Sequence, residues 1–191
     1  MKTILGLTGS IGMGKSTTAE MFRDRGIPVW DADATVHALY SPDGPAPALL
    51  EAEFPGSTLP DGHVDRAHLR KLIAEDATVL DRINAIIHPL VAESRAAFLE
   101  NADGLVVLDV PLLFETGLDQ HCDKIAVVSV DAETQRERVL SRGTMTEADF
   151  EAILSRQTPD AEKRKRADYI IDTSAMDVAQ DAVDHIIAEL T

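Results

Sequence analysis

The chain has 191 residues, of which 45% are hydrophobic, and a formal net charge of −15. This length predicts one domain with room for an inserted subdomain, and the negative charge argues against nucleic acid as a partner. No apolar stretch approaches the roughly 18 residues needed to span a bilayer, and the one cysteine, Cys122, fits a reducing cytoplasm. We therefore expect a cytoplasmic protein without membrane or nucleic-acid partners.

The first predicted strand, 3–8, leads directly into a glycine-rich loop. Residues 9–16 read Gly-Ser-Ile-Gly-Met-Gly-Lys-Ser and match the phosphate-binding pattern G-x-x-x-x-G-K-[ST]. A helix is predicted to follow over 15–25, so the loop feeds a helix N-terminus, which favours an anion. In this pattern Lys15 reaches the β- and γ-phosphates and Ser16 ligates Mg²⁺. A glycine-rich turn without a ligand would not explain Lys15 followed by Ser16.

The second predicted strand, 27–30, ends at two carboxylates, Asp31 and Asp33. Ligands of open α/β sheets bind at the carboxyl ends of the strands, so both side chains are candidates for the site. Phosphoryl transfer to a hydroxyl needs a proton acceptor, and we interpret Asp33 as that base. The alternative is that one of the two caps the following helix, since Asp is a favoured N-cap.

Between the second and third strands lie about 75 residues without a strong strand pattern. The pattern from 65 to about 100 is helical, with Pro89 marking a break or kink. This length exceeds one crossover helix and predicts an inserted helical subdomain. From spacing alone, His88 is more often a structural residue than a substrate contact.

Three further strands are predicted, over 105–110, 124–130 and 169–171, and a last amphipathic helix over 176–190. Apolar runs that alternate with helical stretches predict a five-stranded parallel sheet with helices on both faces. Asp109 ends the third strand, where a carboxylate resembles the second nucleotide motif, which handles Mg²⁺ or its water shell.

Eight of the 18 Lys and Arg residues lie between Arg136 and Arg166. The arginines at 138, 142 and 156 are candidates for contact with a phosphate-bearing molecule. The consecutive run 163–166 is instead interpreted as helix faces whose charges pair with nearby Glu and Asp.

Taken together, these motifs resemble the dephospho-coenzyme A kinase family over essentially the whole chain. The loop alone fits many functions, whereas its combination with the later motifs is selective. The resemblance is carried by Gly6 to Ser16, Asp31-Ala32-Asp33, Ile87-His88-Pro89, Asp109-Val110-Pro111-Leu112-Leu113-Phe114-Glu115, Arg142, Arg156-Gln157 and Ala167 to Asp172.

The resemblance implies a P-loop nucleoside-triphosphate hydrolase-like three-layer α/β sandwich. Its core would comprise about 1–31, 104–114, 123–135 and 167–191. A helical insertion over about 32–103 would bind coenzyme A, and a helical lid would cover about 115–122 and 136–166. Activity would be transfer of the ATP γ-phosphate to the ribose 3′-hydroxyl of dephospho-CoA, with Mg²⁺. A monomer is the expected state, with a small homo-oligomer as the alternative.

The resemblance also implies roles for individual residues. Asp33, Lys15 and Arg142 would be catalytic, with Arg142 reaching from the lid over the transferring phosphate. ATP would be held by Gly9, Gly12, Met13, Gly14, Lys15, Ser16, Thr17 and Arg142, and the metal by Ser16. The acceptor would be bound by Asp31, Asp33, His88, Leu112, Leu113, Phe114 and Glu115.

Two regions depart from the family pattern. Met13 replaces the more frequent Ser, and we expect little loss because that position contributes backbone more than side chain. The segment 172–175 replaces the usual Asn and Gly near the adenine, so no base contact is assigned there. Another P-loop kinase of nucleosides, nucleotides or small alcohols stays the alternative. A GTPase switch lacks support because the chain has no Asn-Lys-x-Asp run.

Overall fold

The computed structural model describes residues 2–191, which form two compact units. The first unit, here called the nucleotide unit, comprises residues 2–31 and 102–191. The second, called the helical unit, comprises Ala32–Asn101. Within 2–191, no helix is both long enough and apolar enough to cross a membrane.

The secondary structure alternates strands and helices along the nucleotide unit. The strands are β1 (Thr3–Thr8), β2 (Val29–Asp31), β3 (Leu105–Asp109), β4 (Lys124–Ser129) and β5 (Tyr169–Asp172). The helices of the whole chain are α1 (Lys15–Asp24), α2 (Ala32–Leu39), α3 (Ala46–Glu53), α4 (Arg66–Glu75), α5 (Thr78–Asn101), α6 (Ala132–Leu140), α7 (Glu147–Leu154), α8 (Asp160–Arg166) and α9 (Met176–Leu190). A short 3₁₀ helix, Leu118–His121, precedes β4.

The five strands form one parallel sheet in the order β2-β3-β1-β4-β5. This confirms the predicted five-stranded parallel sheet. The order reverses direction at β1, since β3 lies on one side of it and β4 on the other. Loops that leave β1 and its neighbours therefore diverge at their carboxyl ends, which is where open α/β sheets bind ligands.

Side chains of β1 alternate between two packed faces of the sheet. Leu5 and Leu7 are fully buried in a core shared with α1 and α9. Gly6 faces the opposite side, where a Cβ atom would lie 2.8 Å from the Cys122 sulfur and 2.9 Å from Leu113. Helix α8 packs near β4 with its Lys163 side chain fully buried. Helices thus cover both faces, as predicted.

The helical unit has its own apolar core, built from α3, α4 and α5 together with the end of α2. The Asp65 carboxylate caps α4 by accepting hydrogen bonds from the backbone N–H groups of Ala67 and His68. Of the two alternatives predicted at Pro89, a break or a kink, the break does not occur, because α5 runs without interruption through Pro89. Residues on both sides of the proline, including Ile87 and Val91, pack against the same core.

Candidate active site

The loop between β1 and α1 has the backbone geometry that its glycines permit. Gly12 and Gly14 have φ angles of +79° and +88°, a left-handed conformation that favours glycine. Gly14 directly precedes the first helical residue, Lys15. The first N–H groups of a helix have no intrahelical partner, so the loop and helix end together can bind an anion.

Lys15 and Asp109 form a buried ion pair beside this loop. The Lys15 Nζ donates to the Asp109 Oδ1 at 2.6 Å, and the two side chains are 14% and 2% exposed. Burial raises the pKa of the Asp109 carboxyl above its ordinary value, although the Lys15 ammonium acts in the opposite direction. The sequence placed these residues in separate motifs 94 positions apart, and the fold brings them into contact.

Asp31 joins the same edge of the sheet. Its Cα pairs in register with that of Asp109, because β2 and β3 end at the same level. The Arg23 guanidinium lies 3.6 Å from the Asp31 carboxylate. Asp31 also occupies the position directly before α2, where an N-cap would lie, while Asp33 is in the first turn of α2. Both carboxylates thus lie at the start of α2, and the choice of one of them as the cap stays a prediction.

A cavity of about 220 Å³ opens on the loop, lined by residues from four parts of the nucleotide unit. Gly12, Gly14 and Thr17 come from the loop and α1. Arg138 and Arg142 come from α6 and the turn that follows it. The remaining wall includes the β5–α9 connection, with Thr173, Ser174, Ala175 and Met176. The cavity thus combines backbone donors, two guanidinium groups and a partly apolar wall.

Arg138 fixes the wall of this cavity. Its guanidinium donates to the Thr173 backbone oxygen at 2.6 Å and to the Thr173 hydroxyl at 3.2 Å. The same hydroxyl donates to the Met13 carbonyl at 2.7 Å. Thr173 therefore connects the phosphate-binding loop with Arg138. It belongs to segment 172–175, which departs from the family pattern and to which the sequence assigned no base contact. Arg156, the third candidate cation, is exposed in the connection between α7 and α8.

The Met13 side chain has a larger role than expected from the sequence. It is 2% exposed and belongs to the core under the sheet. Its sulfur accepts a hydrogen bond from the Val130 N–H at 3.2 Å. The expectation that this position contributes mainly backbone is therefore incomplete, because the side chain also anchors the loop in the core.

Two glutamines that the sequence reasoning did not single out as site residues hold the loop at Ile11. The Gln135 side chain donates to the Ile11 carbonyl at 2.7 Å. The Gln157 side chain accepts from the Ile11 N–H at 3.2 Å. Gln135 is only 5% exposed, which is unusual for an amide side chain and marks a specific partner. The signal for Gln157 was its place in the Arg156-Gln157 motif, whereas Gln135 had none.

The segment from Pro111 to Glu115, here called the acceptor segment, follows β3. Of its apolar side chains, only Leu112 is exposed, at 41%, whereas Leu113 is fully buried. Phe114 is 7% exposed and lies under the Arg166 guanidinium at 4.1 Å from the ring centre. This placement argues against direct substrate contact for Leu113 and makes Leu112 the accessible residue.

Glu115 already has partners within the nucleotide unit. Its Oε1 accepts from the Thr158 N–H at 2.6 Å and lies 3.2 Å from the Lys163 ammonium. Burial opposes ionisation, but these contacts outweigh it and lower the pKa of the Glu115 carboxyl. Asp33 and His88 belong to the helical unit, and both are exposed there.

Comparison with known proteins gives a consistent result. The family model described as dephospho-CoA kinase matches residues 3–178. The dephospho-CoA kinase of Jannaschia sp. (strain CCS1) is 55% identical over all of this chain and 98% of its own length. A crystal structure from Thermus thermophilus has a TM-score of 0.86 at 32% identity, covering 100% of this chain and 98% of its own. Dephospho-CoA kinase from Campylobacter jejuni, 23% identical with 100% and 98% coverage, shares the fold at a TM-score of 0.69.

Proposed function

The chain belongs to the dephospho-CoA kinase family, and from this we propose that it phosphorylates the ribose 3′-hydroxyl of dephospho-CoA. The γ-phosphoryl group of ATP is transferred, and the products are coenzyme A and ADP. The bond between the γ-phosphorus and the bridging oxygen breaks, and the ribose oxygen forms the new bond to phosphorus. The hydroxyl proton passes to a base of the protein.

The observation that carries the proposal is the Lys15–Asp109 pair beside the glycine-rich loop. Lys15 has three N–H donors, so it can contact phosphate oxygens while it keeps a carboxylate partner. Charge spreads over the γ-phosphoryl oxygens during transfer, and preorganised donors lower the barrier most where water is excluded. The ion pair with Asp109 holds the Lys15 ammonium in a buried position beside the phosphate-binding loop before ATP binds.

The residues of the site fit a Mg²⁺ ion that enters with the nucleotide. Ser16 is exposed in the first turn of α1, and Asp109 offers a carboxylate at the end of β3. In residues 2–191 there is no group of three or more His, Cys, Asp or Glu that could hold a metal. Mg²⁺ is usually held by one or two protein oxygens with phosphates and waters, so Ser16 and Asp109 suffice. When bound, the ion neutralises charge on the phosphates.

We assign the proton acceptor to Asp33, in the first turn of α2. It follows Asp31, whose strand position is fixed by pairing with β3, by only two residues. The Asp33 carboxylate is exposed, whereas the Asp109 carboxylate would have to break its buried ion pair with Lys15 before it could accept a proton. We assign to Asp31 either the support of this base or the capping of α2.

We assign the nucleoside end of ATP to the cavity lined by Thr17, Arg138 and Thr173. Its lining begins at the phosphate loop, which gives a continuous path from the γ-phosphate to the base. Arg142 lines the same cavity and supplies the cation that closes over the phosphates. Within the nucleotide unit, the acceptor contact that we assign is the exposed Leu112 side chain.

The net charge of −15 supports a small-molecule enzyme without nucleic-acid partners. We further propose that it is a monomer in the cytoplasm, where ATP is supplied. A gel-filtration measurement at micromolar concentration tests the monomer assignment.

The function is tested by incubating the protein with ATP, Mg²⁺ and dephospho-CoA and separating the products by chromatography. Coenzyme A and ADP in equal amounts are the expected products. Phosphorylation of a nucleoside, a nucleotide or another alcohol, without formation of coenzyme A, would instead favour a different P-loop kinase activity. ATP binding without turnover of any acceptor would contradict both kinase assignments.

A further inference from the structure

Lys163 on α8 is a fully buried cation, at 0% exposure. Two residues later on the same helix, Lys165 is 70% exposed and pairs with Glu162. A buried ammonium group is unfavourable unless it is paired and hydrogen-bonded, because it loses its hydration. The position of Lys163 therefore depends on specific partners.

The Pro111 and Glu115 contacts of the Lys163 ammonium lie at the two ends of the acceptor segment. The ammonium donates to the Pro111 carbonyl at 3.3 Å and lies 3.2 Å from the Glu115 Oε1. The Pro111 carbonyl also accepts from the Thr8 hydroxyl at 3.0 Å. Thr8 directly precedes the phosphate-binding loop, and Glu115 also accepts from the Thr158 N–H. The segment is thus fixed to the end of β1, directly before the loop, and to the α7–α8 connection.

We infer that Lys163 is a positioning residue that holds the acceptor segment, and with it Leu112, in the geometry needed for phosphoryl transfer. This inference rests on the proposed function, in which Leu112 contacts dephospho-CoA. The segment begins two residues after Asp109, so a shift of Pro111 would move the acceptor relative to the Lys15–Asp109 pair. Errors of about 1 Å in such positioning cost about 10²-fold in rate.

A purely structural role would be to attach α8 to the sheet. That attachment has other contacts, because the Ser129 hydroxyl at the end of β4 donates to Asp160 at 2.8 Å and accepts from the Arg164 guanidinium at 3.4 Å. A loss of stability alone would lower the amount of active enzyme and affect both substrates equally. A positioning role affects the acceptor and leaves ATP binding unchanged.

The test uses Lys163→Met in the full chain, since Met is similar in length and tolerates burial. We expect kcat/KM for dephospho-CoA to fall about 10- to 10²-fold, with the Kd for Mg·ATP within twofold of wild type. Two controls are matched to it. Ile186→Ala lowers stability in a core cluster that contains no residue of the acceptor segment, and Lys124→Met removes an unrelated ion pair, Lys124–Asp168. For each control variant, kcat/KM for dephospho-CoA and the Kd for Mg·ATP should stay in the same proportion as in the wild type.

The inference is overturned if Lys163→Met retains the wild-type kcat/KM for dephospho-CoA, or if it weakens ATP and acceptor equally. If Lys163→Met does not fold, Glu115→Gln replaces it, since Gln keeps an oxygen for the Thr158 N–H but loses the charge. The same selective loss for the acceptor is expected, and its absence would refute the inference. Failure of the wild type to form coenzyme A would refute the proposed function instead, so the two failures are distinguishable.

Discussion

Replacement of Met13 by Ser is expected to destabilise this chain, although the sequence alone suggested little effect. The side chain is 2% exposed in the core beneath the loop. Truncating a buried Met typically costs about 2–5 kcal/mol through lost burial and a residual cavity. The Val130 N–H also loses the sulfur that accepts its hydrogen bond at 3.2 Å. We expect a loss of about 3 kcal/mol.

For a chain of this length, about 3 kcal/mol corresponds to a fall in Tm of about 6–12 °C. Thermal unfolding followed by circular dichroism, with and without Mg·ATP, measures this shift. Met13→Leu is the matched control, since it conserves volume and is expected to cost less than about 1.5 kcal/mol. The affinity for Mg·ATP at 20 °C should change little, because the loop binds phosphate through its backbone. A Tm within 2 °C of wild type for Met13→Ser, a margin of about 1 kcal/mol, would refute the packing argument.

Three further predictions concern Asp33, Arg142 and Glu115. Asp33→Asn should lower kcat about 10²- to 10⁴-fold while calorimetry still detects Mg·ATP binding, and near-normal turnover would contradict its assignment as the base. Arg142→Ala should lower kcat about 10²- to 10³-fold, whereas Arg136→Ala on the same part of the chain, which breaks a surface pair with Glu147, should not. The folded-state pKa of Glu115 is lowered from 4.5, so its ionised form stabilises the fold above pH 4.5 and this contribution is lost as the pH falls through the folded pKa. The free energy of unfolding, measured by chemical denaturation, should therefore be lower for Glu115→Gln than for the wild type at pH 7, and the two values should converge below pH 4.5. A difference in unfolding free energy that is constant with pH would contradict the ion pair.

The sheet could be predicted because its signals are local. Each strand is a short apolar run, and parallel strands buried on both faces need little else. The sequence also placed Asp31 and Asp109 at the carboxyl ends of strands, but their adjacency came only with the strand order, in which β2 and β3 are neighbours and the two Cα atoms pair in register. The contact between Lys15 and Asp109 did not follow, since it depends on a lysine rotamer chosen by the folded surroundings.

The continuity of α5 shows why Pro89 does not end the helix, which was one of the two predicted alternatives. Pro89 lacks an N–H group and its ring crowds the carbonyl four residues earlier, which in an isolated helix costs about 3 kcal/mol. Ile83 and Ile87 before it, and Val91 after it, pack into one core of the helical unit. Burial of apolar side chains on both sides offsets the proline, because each fully buried side chain contributes about 1.5–3 kcal/mol.

The burial of one cation in the run 163–166 was likewise not predictable from the sequence. Sequence reasoning interpreted its four cations as helix faces whose charges pair with nearby Glu and Asp, and such ion pairs do occur. Yet Lys163 is fully buried against Glu115, Lys165 is exposed beside Glu162, and Arg166 covers Phe114. Residues 163 and 166 are three apart and share one helix face, which indicates that one face is packed but not which cation is buried. That choice is made by the acceptor segment, whose Pro111 carbonyl and Glu115 carboxylate approach only the first of them. The sequence therefore did not distinguish Lys163, which we infer to position the acceptor, from the other three cations. Its tertiary contacts do.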